Sequence, residues 1–479
     1  MPRPSPSTDR NLRATESPRN TRTLALPAVE PQLEFPSDDA GRSPDTQSSH
    51  TPPDVRRLCR SRFAVHALLC VIPLTGLPAQ QGGTATADVF RRNSDRVVKI
   101  EVVETGSAAK ASIGSGFFVT AAGEVITNYH VISKLIHTPE RYRAELVDAR
   151  GTRSPVRVLG VDVVHDLAVL RGELRPRTHF TLAATPIAQG SRIYSLGHPE
   201  DLGLSIVEGT YNGLLSHTLH PRIHFTGAVN PGMSGGPAIT DDGAVIGINV
   251  ATSGDAISFL VPVERAIALV ARALSSTAGT AAPTLAQVGD QIREYQDLYL
   301  RDMFAGETQM VDLGPYRVVT QPAAFFRCWA DATRREDLKH EEVHHSCSTD
   351  DYLFVAGDHS SGVVEVEHVL LSTRTLGASR FFALYTSFFS RDETPYGTDE
   401  HVSEWQCRTR NVRNDHLPVR AVLCLRRYRK LGELYDAVLK VAALGRSDAG
   451  LVSTLTLSGV TFENIDMLAR RYLERITWR

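Results

Sequence analysis

Short runs of β-branched and aromatic residues, separated by turn-forming residues, fill most of the chain between residues 97 and 250. Runs at this spacing favour an all-β barrel or sandwich over a parallel sheet with crossover helices. The predicted strands are 97–103, 116–120, 124–127, 143–147, 156–161, 167–170, 192–196, 204–211, 223–228, 238–240 and 244–250. Beyond them, only residues 263–274 show helical spacing in this part of the chain. The pattern predicts a mainly β fold here.

A glycine-rich loop, Ala228–Pro237, separates two of the predicted strands and carries Ser234. Glycine permits backbone conformations closed to other residues, and proline restricts its neighbours, so the loop is tightly specified. A nucleophilic serine needs such a loop, because its oxygen must be reachable and backbone N–H groups must lie where negative charge develops. An ordinary glycine-rich turn is the alternative interpretation.

Two further side chains provide the remaining parts of an acyl-transfer triad. His130 directly follows a predicted strand, and Asp166 begins the apolar strand 167–170. Taken singly, each is typical of a polar turn or loop residue. Together with Ser234 they supply a nucleophile, a base that accepts its proton and a carboxylate that orients the base. The combination is far more specific than any one of the three residues.

The motifs around these residues resemble those of a known family. They are Thr-Asn-Tyr-His-Val-Ile at 127–132, Asp-Leu-Ala-Val-Leu at 166–170, Asn-Pro-Gly-Met-Ser-Gly-Gly-Pro at 230–237, Gly-Ser-Gly-Phe at 114–117, Ser-Leu-Gly-His-Pro at 195–199 and Phe-Leu-Val-Pro at 259–262. In this order, residues 88–270 are similar to the HtrA (Deg) branch of trypsin-like serine proteases, which have the chymotrypsin fold. Met233 departs from the pattern, because the family usually has Asn there; that side chain points away from the chemistry.

The resemblance implies two packed six-stranded β-barrels with the active site in the cleft between them. It makes Ser234 the nucleophile, His130 the general base and acid, and Asp166 the orienting carboxylate, and it requires no metal or cofactor. The oxyanion hole would be the backbone N–H groups of Gly232 and Ser234. Asp162 competes for the acidic role, but it lacks the Leu-Ala-Val-Leu strand directly behind it.

The same resemblance places Val229, Ile257 and Phe259 around the primary specificity pocket. None is acidic, so we expect small or medium apolar side chains before the scissile bond rather than Lys or Arg. These three residues could equally be ordinary buried residues of the hydrophobic core.

Residues 232–236 also fit Gly-x-Ser-x-Gly, the nucleophile elbow of α/β-hydrolases. That elbow leads into a helix, however, and its His follows the Ser in the sequence. Here a predicted hairpin follows, and His130 comes first.

The N-terminal segment 1–54 holds 10 of the 26 prolines and one aromatic residue, so we expect disorder. Residues 55–79 read as a secretory signal peptide: a basic start, a short apolar run and a small residue at the end. Translation would then begin near Val55, and the mature protein would be periplasmic or secreted. A membrane-spanning helix and an apolar segment packed on the protein body are the alternatives.

Four cysteines remain beyond the signal segment, which holds Cys59 and Cys70. They are Cys328, Cys347, Cys407 and Cys424. An even number in an exported chain predicts disulfides, with three pairings open. Proximity in the sequence favours Cys328–Cys347 and Cys407–Cys424, and free buried thiols are the alternative.

A linker at 273–285, rich in Ser, Thr, Ala and Gly, separates the protease domain 84–272 from residues 286–479. No PDZ signature follows, unlike the usual HtrA protease. We predict an α+β accessory domain with a capped helix from Thr284, aromatic strands such as 381–389, and a final helix at 462–476. The first helix would pack on the domain behind it or, alternatively, form a dimer. His340, His344, His345 and Cys347 form a local cluster of common zinc-ligand types, so metal binding is an alternative, but their spacing fits no standard site and Cys347 is better used in a disulfide.

The predicted function is an exported serine endopeptidase that acts on polypeptides, and the resemblance implies unfolded or damaged proteins of the cell envelope as its substrates. A catalytically silent scaffold or binding protein is the alternative. The net charge of -2 gives no reason to expect nucleic-acid binding. We expect no membrane span in the mature chain, and the resemblance leaves oligomerisation open.

Overall fold

The computed structural model of the chain describes residues 85–479 apart from 217, 253–256, 276–282, 302, 304–307, 334–337, 350, 358, 392, 393, 396 and 414–416. The described residues belong to one compact unit, Ala79–Arg479. The disordered segment 1–54 and the signal peptide 55–79 that the sequence predicts lie outside the described residues.

The first six strands form a closed antiparallel barrel in the order β1-β2-β3-β6-β5-β4. They are β1 (Val97–Glu104), β2 (Lys110–Phe118), β3 (Glu124–Thr127), β4 (Tyr142–Val147), β5 (Arg153–Asp162) and β6 (Leu167–Gly172). Apolar side chains such as Ile100, Val125 and Leu170 fill the barrel with almost no exposure. Closure pairs every strand on both sides, which leaves no free edge.

The next six strands form a second closed barrel in the order β10-β11-β12-β9-β8-β7. They are β7 (Arg192–Gly197), β8 (Ser205–Leu214), β9 (Ile223–Thr226), β10 (Pro237–Ile239), β11 (Val245–Thr252) and β12 (Ser258–Pro262). The mainly β, chymotrypsin-like double barrel that the sequence predicts is therefore confirmed.

Three helices accompany the barrels: α1 (Ala85–Asn93), α2 (Tyr129–His137) and α3 (Val263–Ser275). The expectation that only 263–274 is helical was wrong, because α1 and α2 also form. The β-branched Val131 and Ile132 disfavour a helix locally, but α2 buries both of them, together with Ile136, against the first barrel. Burial of a helical face outweighs weak local propensity.

The C-terminal part contains a seven-stranded sheet in the order β15-β16-β19-β23-β22-β21-β20, a three-stranded sheet β13-β14-β24 and a hairpin β17-β18. Its elements are α4 (Leu285–Leu300), β13 (Gln309–Leu313), β14 (Tyr316–Gln321), β15 (Arg327–Thr333), β16 (Glu341–Ser348), β17 (Leu353–Ala356), β18 (His359–Ser361), β19 (Val364–Ser372), α5 (Ala378–Phe389), β20 (Gln406–Arg413), β21 (Pro418–Arg427), β22 (Tyr435–Ala443), β23 (Ala449–Val460), α6 (Phe462–Glu474) and β24 (Thr477–Trp478). The predicted α+β class is confirmed.

The aromatic segment 381–389 forms part of helix α5, so its prediction as a strand was wrong. Phe381, Tyr385 and Phe388 are the buried residues of this helix, and their spacing of four and three places them on one helical face. The Tyr385 hydroxyl also donates hydrogen bonds to backbone carbonyls at the sheet, at 2.6 Å from Leu451 and 3.0 Å from Ala443. A helical stripe of large aromatic residues was mistaken for strand propensity.

Helix α4 packs on both parts of the chain. Its predicted capping box is present, with Thr284 and Gln287 each accepting a backbone N–H of the other. Val288 and Ile292 belong to the apolar cluster of the first barrel, whereas Leu300 belongs to the cluster of the large sheet. The predicted packing of this helix on the preceding domain is confirmed. The exact boundary between the two predicted domains stays a prediction.

Two disulfides join directly opposite residues of neighbouring antiparallel strands. Cys328 pairs with Cys347 between β15 and β16, and Cys407 pairs with Cys424 between β20 and β21. The pairing that sequence proximity favours is confirmed. Strand β20 lies at the edge of the sheet and exposes all its residues, so the second disulfide ties down a strand that buries no side chain.

No helix among the described residues is long and apolar enough to cross a membrane. Likewise, no three His, Cys, Asp or Glu side chains in the described ranges are grouped so that they could hold a metal ion. His340 and His344 instead contact the carboxylate of Glu342, at 2.8 and 3.3 Å.

Replacing Cys407 and Cys424 together by Ala should lower the free energy of unfolding by about 3 kcal/mol, because the disulfide restricts the unfolded chain across a short loop. Guanidinium unfolding of the purified chain measures this difference. Treatment of the wild type with a reductant should lower its stability more than that of the variant, which has lost one of its two disulfides. Equal stability of wild type and variant under oxidising conditions would contradict the prediction.

Candidate active site

The imidazole of His130 is held by Asp166. His130 is the second residue of α2, and its Nδ1 lies 2.6 Å from Oδ2 of Asp166. The backbone N–H of His130 donates to the other carboxylate oxygen at 2.8 Å. An ionised carboxylate can only accept hydrogen bonds, so Nδ1 of His130 carries the proton and Nε2 is left as the basic nitrogen. The two contacts fix both the tautomer and the direction of the ring.

Asp166 is itself firmly placed between β5 and β6. Its backbone has φ of 55°, a left-handed conformation that Asp tolerates better than most residues, and the residue is only 6% exposed. Its carbonyl accepts hydrogen bonds from the Asn128 side chain at 2.7 Å and from the Tyr129 backbone at 3.2 Å. The segment that leads into α2 therefore binds the same residue that orients His130.

Asp162, the competing carboxylate, has other partners. Its oxygens lie 2.9 and 3.0 Å from Nδ1 of His165, and Arg272 approaches at 3.3 Å. Burial raises the pKa of Asp162, but the contacts with His165 outweigh burial and leave it below its ordinary value. The structure thus places Asp166, and not Asp162, on His130.

The loop that carries Ser234 depends on its glycines. Gly232 has φ of +94°, and a Cβ there would lie 2.3 Å from the carbonyl oxygen of His198. Gly235 has φ of +84°, and a Cβ there would lie 2.3 Å from the carbonyl oxygen of Ser115. Both positions combine a left-handed backbone with close approach of another backbone, so no other residue fits without displacement.

Ser115 and the segment after β7 pin the carbonyl groups of this loop. The Ser115 hydroxyl donates to the carbonyl of Gly232 at 2.7 Å, and its backbone N–H donates to the carbonyl of Ser234 at 2.8 Å. The N–H of Glu200 donates to the carbonyl of Pro231 at 2.8 Å. Within the described residues, the N–H groups of Gly232 and Ser234 donate to no protein acceptor, so both remain available to a substrate oxyanion.

Met233 is fully buried in the apolar cluster of the second barrel, which keeps its side chain away from the cleft.

His198 is also buried beside the serine loop. Burial, and then the charge of Lys99, lowers the pKa of His198 to about 4. The imidazole of His198 is therefore neutral near pH 7. The backbone N–H of His198 donates to the Ser115 hydroxyl at 2.8 Å.

A cleft of about 780 Å³ brings these groups together. Its lining includes His130, Asp166, Ser234, Gly232, Val229 and Phe259, together with Val250, Ile113 and further residues. Ile257 does not line this cleft and is 44% exposed, so only two of the three predicted pocket residues are placed in it. In the described structure no hydrogen bond joins the Ser234 hydroxyl to His130. The catalytic roles of the three residues stay a prediction.

The C-terminal part provides one wall of the same cleft. The cleft is lined there by Thr349, Asp351, Tyr352, Leu353 and Phe354. The Phe354 ring stands edge-on to the His130 ring, with centroids 5.7 Å apart. The hairpin strand β17 packs on α2, and the Tyr129 hydroxyl donates to the carbonyl of Val355 at 3.1 Å. Sequence analysis missed this wall, because no local motif indicates a contact between residues more than 200 positions apart.

Comparison with known proteins shows which proteins the two barrels are similar to. Residues 114–248 match the family model of the trypsin-like peptidase domain. The chain is 29% identical over 217 residues to protease Do-like 5, chloroplastic, of Arabidopsis thaliana, covering 38% of this chain and 67% of that protein. It is 31% identical over 193 residues to serine protease HTRA2, mitochondrial, of Bos taurus, covering 37% of this chain and 41% of that protein.

Among solved structures, the crystal structure of Deg5 is 28% identical and covers 40% of this chain and 94% of that chain, with a TM-score of 0.35. The double-barrel assignment rests on the strand order described above and not on this score. The chain spans between about two fifths and two thirds of the length of the two curated relatives. The predicted resemblance of the barrels to HtrA-type trypsin-like serine proteases is confirmed.

Replacing Gly232 by Ala should slow covalent labelling of Ser234 by a fluorophosphonate by about 10²- to 10³-fold, because the loop must shift and the backbone N–H of residue 232 is displaced from the oxyanion position. The labelling rate is measured by mass spectrometry on the full chain. Gly151→Ala is a matched control: Gly151 also has a left-handed backbone, with φ of +80°, but nothing lies within 4 Å of its Cβ position. Equal rates for the two variants would contradict the role assigned to Gly232.

Proposed function

We propose that the chain is a serine endopeptidase that hydrolyses peptide bonds through its HtrA-type, trypsin-like domain. The observation that carries the proposal is the double contact of Asp166 with His130, in a cleft that Ser234 also lines. This contact supplies an oriented base with its basic nitrogen unoccupied. The confirmed family likeness of the barrels gives the same reaction class.

In the proposed reaction, the Ser234 oxygen attacks the carbonyl carbon of the scissile bond while Nε2 of His130 accepts the hydroxyl proton. Asp166 stabilises the resulting imidazolium, and the N–H groups of Gly232 and Ser234 donate to the oxyanion. His130 then gives its proton to the leaving amine as the C–N bond breaks. The amine departs, and the acyl group remains on Ser234 as an ester. Water attacks this ester with His130 again as base, and the second product departs as a carboxylic acid.

The preference before the scissile bond would be for small or medium apolar side chains. Val229 and Phe259 line the cleft beside the serine loop, and Val250 adds a third apolar surface. An apolar pocket favours each additional methylene of a substrate by about 1–3 kcal/mol.

Export to the periplasm or the medium is also proposed, with unfolded or damaged envelope proteins as substrates. The basic and apolar pattern of residues 55–79 supports it, as do the two disulfides, which persist in oxidising compartments. N-terminal sequencing of the mature protein should give a first residue shortly after 79. A mature end within residues 1–54 would refute the signal-peptide assignment.

Replacing Asp166 by Asn should lower kcat for a peptide substrate by about 10⁴-fold, because the amide favours the wrong imidazole tautomer. Asp162→Asn is the matched control and should keep kcat within a few-fold, since Asp162 contacts His165 and Arg272 instead. Initial rates on casein and on short apolar peptides measure both effects.

Ser234→Ala should abolish cleavage in the same assay. Equal losses in the Asp166 and Asp162 variants would overturn the triad assignment. Absence of both cleavage and fluorophosphonate labelling in the wild type, tested with unfolded substrate present, would favour a catalytically silent scaffold.

A further inference from the structure

An arginine guanidinium that lines the active-site cleft has no acidic partner among the described residues. Arg222 is half-buried and directly precedes β9, and it lines the same cleft as Ser234. Its Nη1 is buried without a hydrogen-bond partner, and within the described residues no carboxylate forms a salt bridge with it. A guanidinium stays charged at any physiological pH and presents a fork of donors. A buried donor without an acceptor is unfavourable, so such a group favours a ligand that supplies one.

Among the described residues, the one hydrogen-bond partner of the Arg222 guanidinium is a neutral ring. Its Nη2 donates to Nε2 of His220 at 3.2 Å, and Nδ1 of His220 bonds the Tyr295 hydroxyl at 3.0 Å. Burial, and then the charge of Arg222, lowers the pKa of His220 to about 3. His220 therefore positions the guanidinium without neutralising its charge.

The backbone around Arg222 is anchored to both walls of the cleft. Its carbonyl accepts from the Leu215 N–H at 2.8 Å, and the next residue, Ile223, pairs with Leu260 of β12. That strand also carries Phe259 of the apolar pocket. On the opposite side, the Leu219 N–H donates to the Asp351 carboxylate at 2.5 Å. Arg222 thus occupies a defined position near the apolar pocket.

The other charged groups of the cleft are already engaged. Asp166 binds His130, Asp351 accepts a hydrogen bond from Leu219, and Arg327 has an interaction partner of its own. Asp351 would repel a second carboxylate placed beside it, which limits where an acidic ligand group can lie. Among the described residues that line the cleft, Arg222 is the cationic side chain with a buried donor, Nη1, that has no acceptor.

We infer that Arg222 binds a carboxylate of the polypeptide substrate, at a fixed number of residues from the scissile bond. The carboxylate is either an Asp or Glu side chain or the free C-terminus of the polypeptide. The inference rests on the proposed function, since it takes the cleft to bind a polypeptide chain. A charge-assisted pair with guanidinium is about twice as strong as a neutral hydrogen bond and selects planar carboxylates.

The test measures binding without catalysis. Fluorescent nine-residue peptides with a central apolar residue are titrated into the full-length Ser234→Ala chain, and anisotropy gives Kd. One Glu is placed at each position in turn, with Gln as the neutral match, and every peptide is made with a free and an amidated C-terminus. At one position, or for the free terminus, we expect the peptide with the carboxylate to bind at least about tenfold more tightly than its neutral match.

Charge variants then test the residue itself. Arg222→Gln should remove the preference, and Arg222→Glu should reverse it so that the peptide with Lys at that position binds best; a purely structural role would not produce this reversal. Arg192→Gln is the control, because Arg192 lies outside the cleft and pairs with Glu208 on an exposed surface. Thermal melting of each variant checks that the fold is retained.

The outcomes separate the two proposals. Loss of the preference on amidation assigns the carboxylate to the terminus, and retention assigns it to a side chain. Equal binding of Glu and Gln peptides and of free and amidated peptides would overturn the inference, as would a preference that survives Arg222→Gln. If the wild type cleaves no peptide while the Arg222-dependent preference persists, the protease proposal fails and the carboxylate site stands.

Discussion

The rest of the site depends on the hydrogen bonds that the carboxylate of Asp166 makes with His130. Asp166 binds both the ring and the backbone of His130, while its own backbone carbonyl is held by the residues that begin α2. The residue is buried, so its hydrogen bonds are little weakened by competition with water. Two closed barrels are needed to place this pair beside the serine loop, because His130 and Asp166 come from the first barrel and Ser234 from the second.

The C-terminal part acts as a structural component of the site and not as an appended module. Leu353, Val355 and Ala356 share an apolar cluster with α2 and the first barrel, and Phe354 contacts the His130 ring directly. Helix α4 extends the connection, since one end packs on the barrel and the other on the large sheet. The cleft is therefore a composite of both parts. Any movement of the hairpin β17-β18 would change the surroundings of His130 as well as the space left for a substrate.

Much of this fold could be predicted from the sequence wherever a feature is decided by residues that are close together in the chain. The strand runs, the capping box of α4, the glycine positions of the serine loop and the disulfide pairing by proximity all depend on nearby residues. Helices α2 and α5 were missed because burial of one face decided them, against β-branched or aromatic propensity. The cleft wall at Phe354 and the guanidinium of Arg222, which has no carboxylate partner among the described residues, leave no local pattern at all. They arise only when distant segments meet.

The most direct test of the account is reaction of the full-length chain with a peptidyl chloromethyl ketone carrying an apolar residue before the ketone. The Ser234 oxygen adds to the ketone, and Nε2 of His130 displaces chloride, so one inhibitor molecule bridges both residues. We predict that mass spectrometry locates the new bond on His130 and that Ser234→Ala strongly slows its formation. Modification of other side chains with His130 untouched, or an unchanged rate in Ser234→Ala, would contradict the claim that these residues act together.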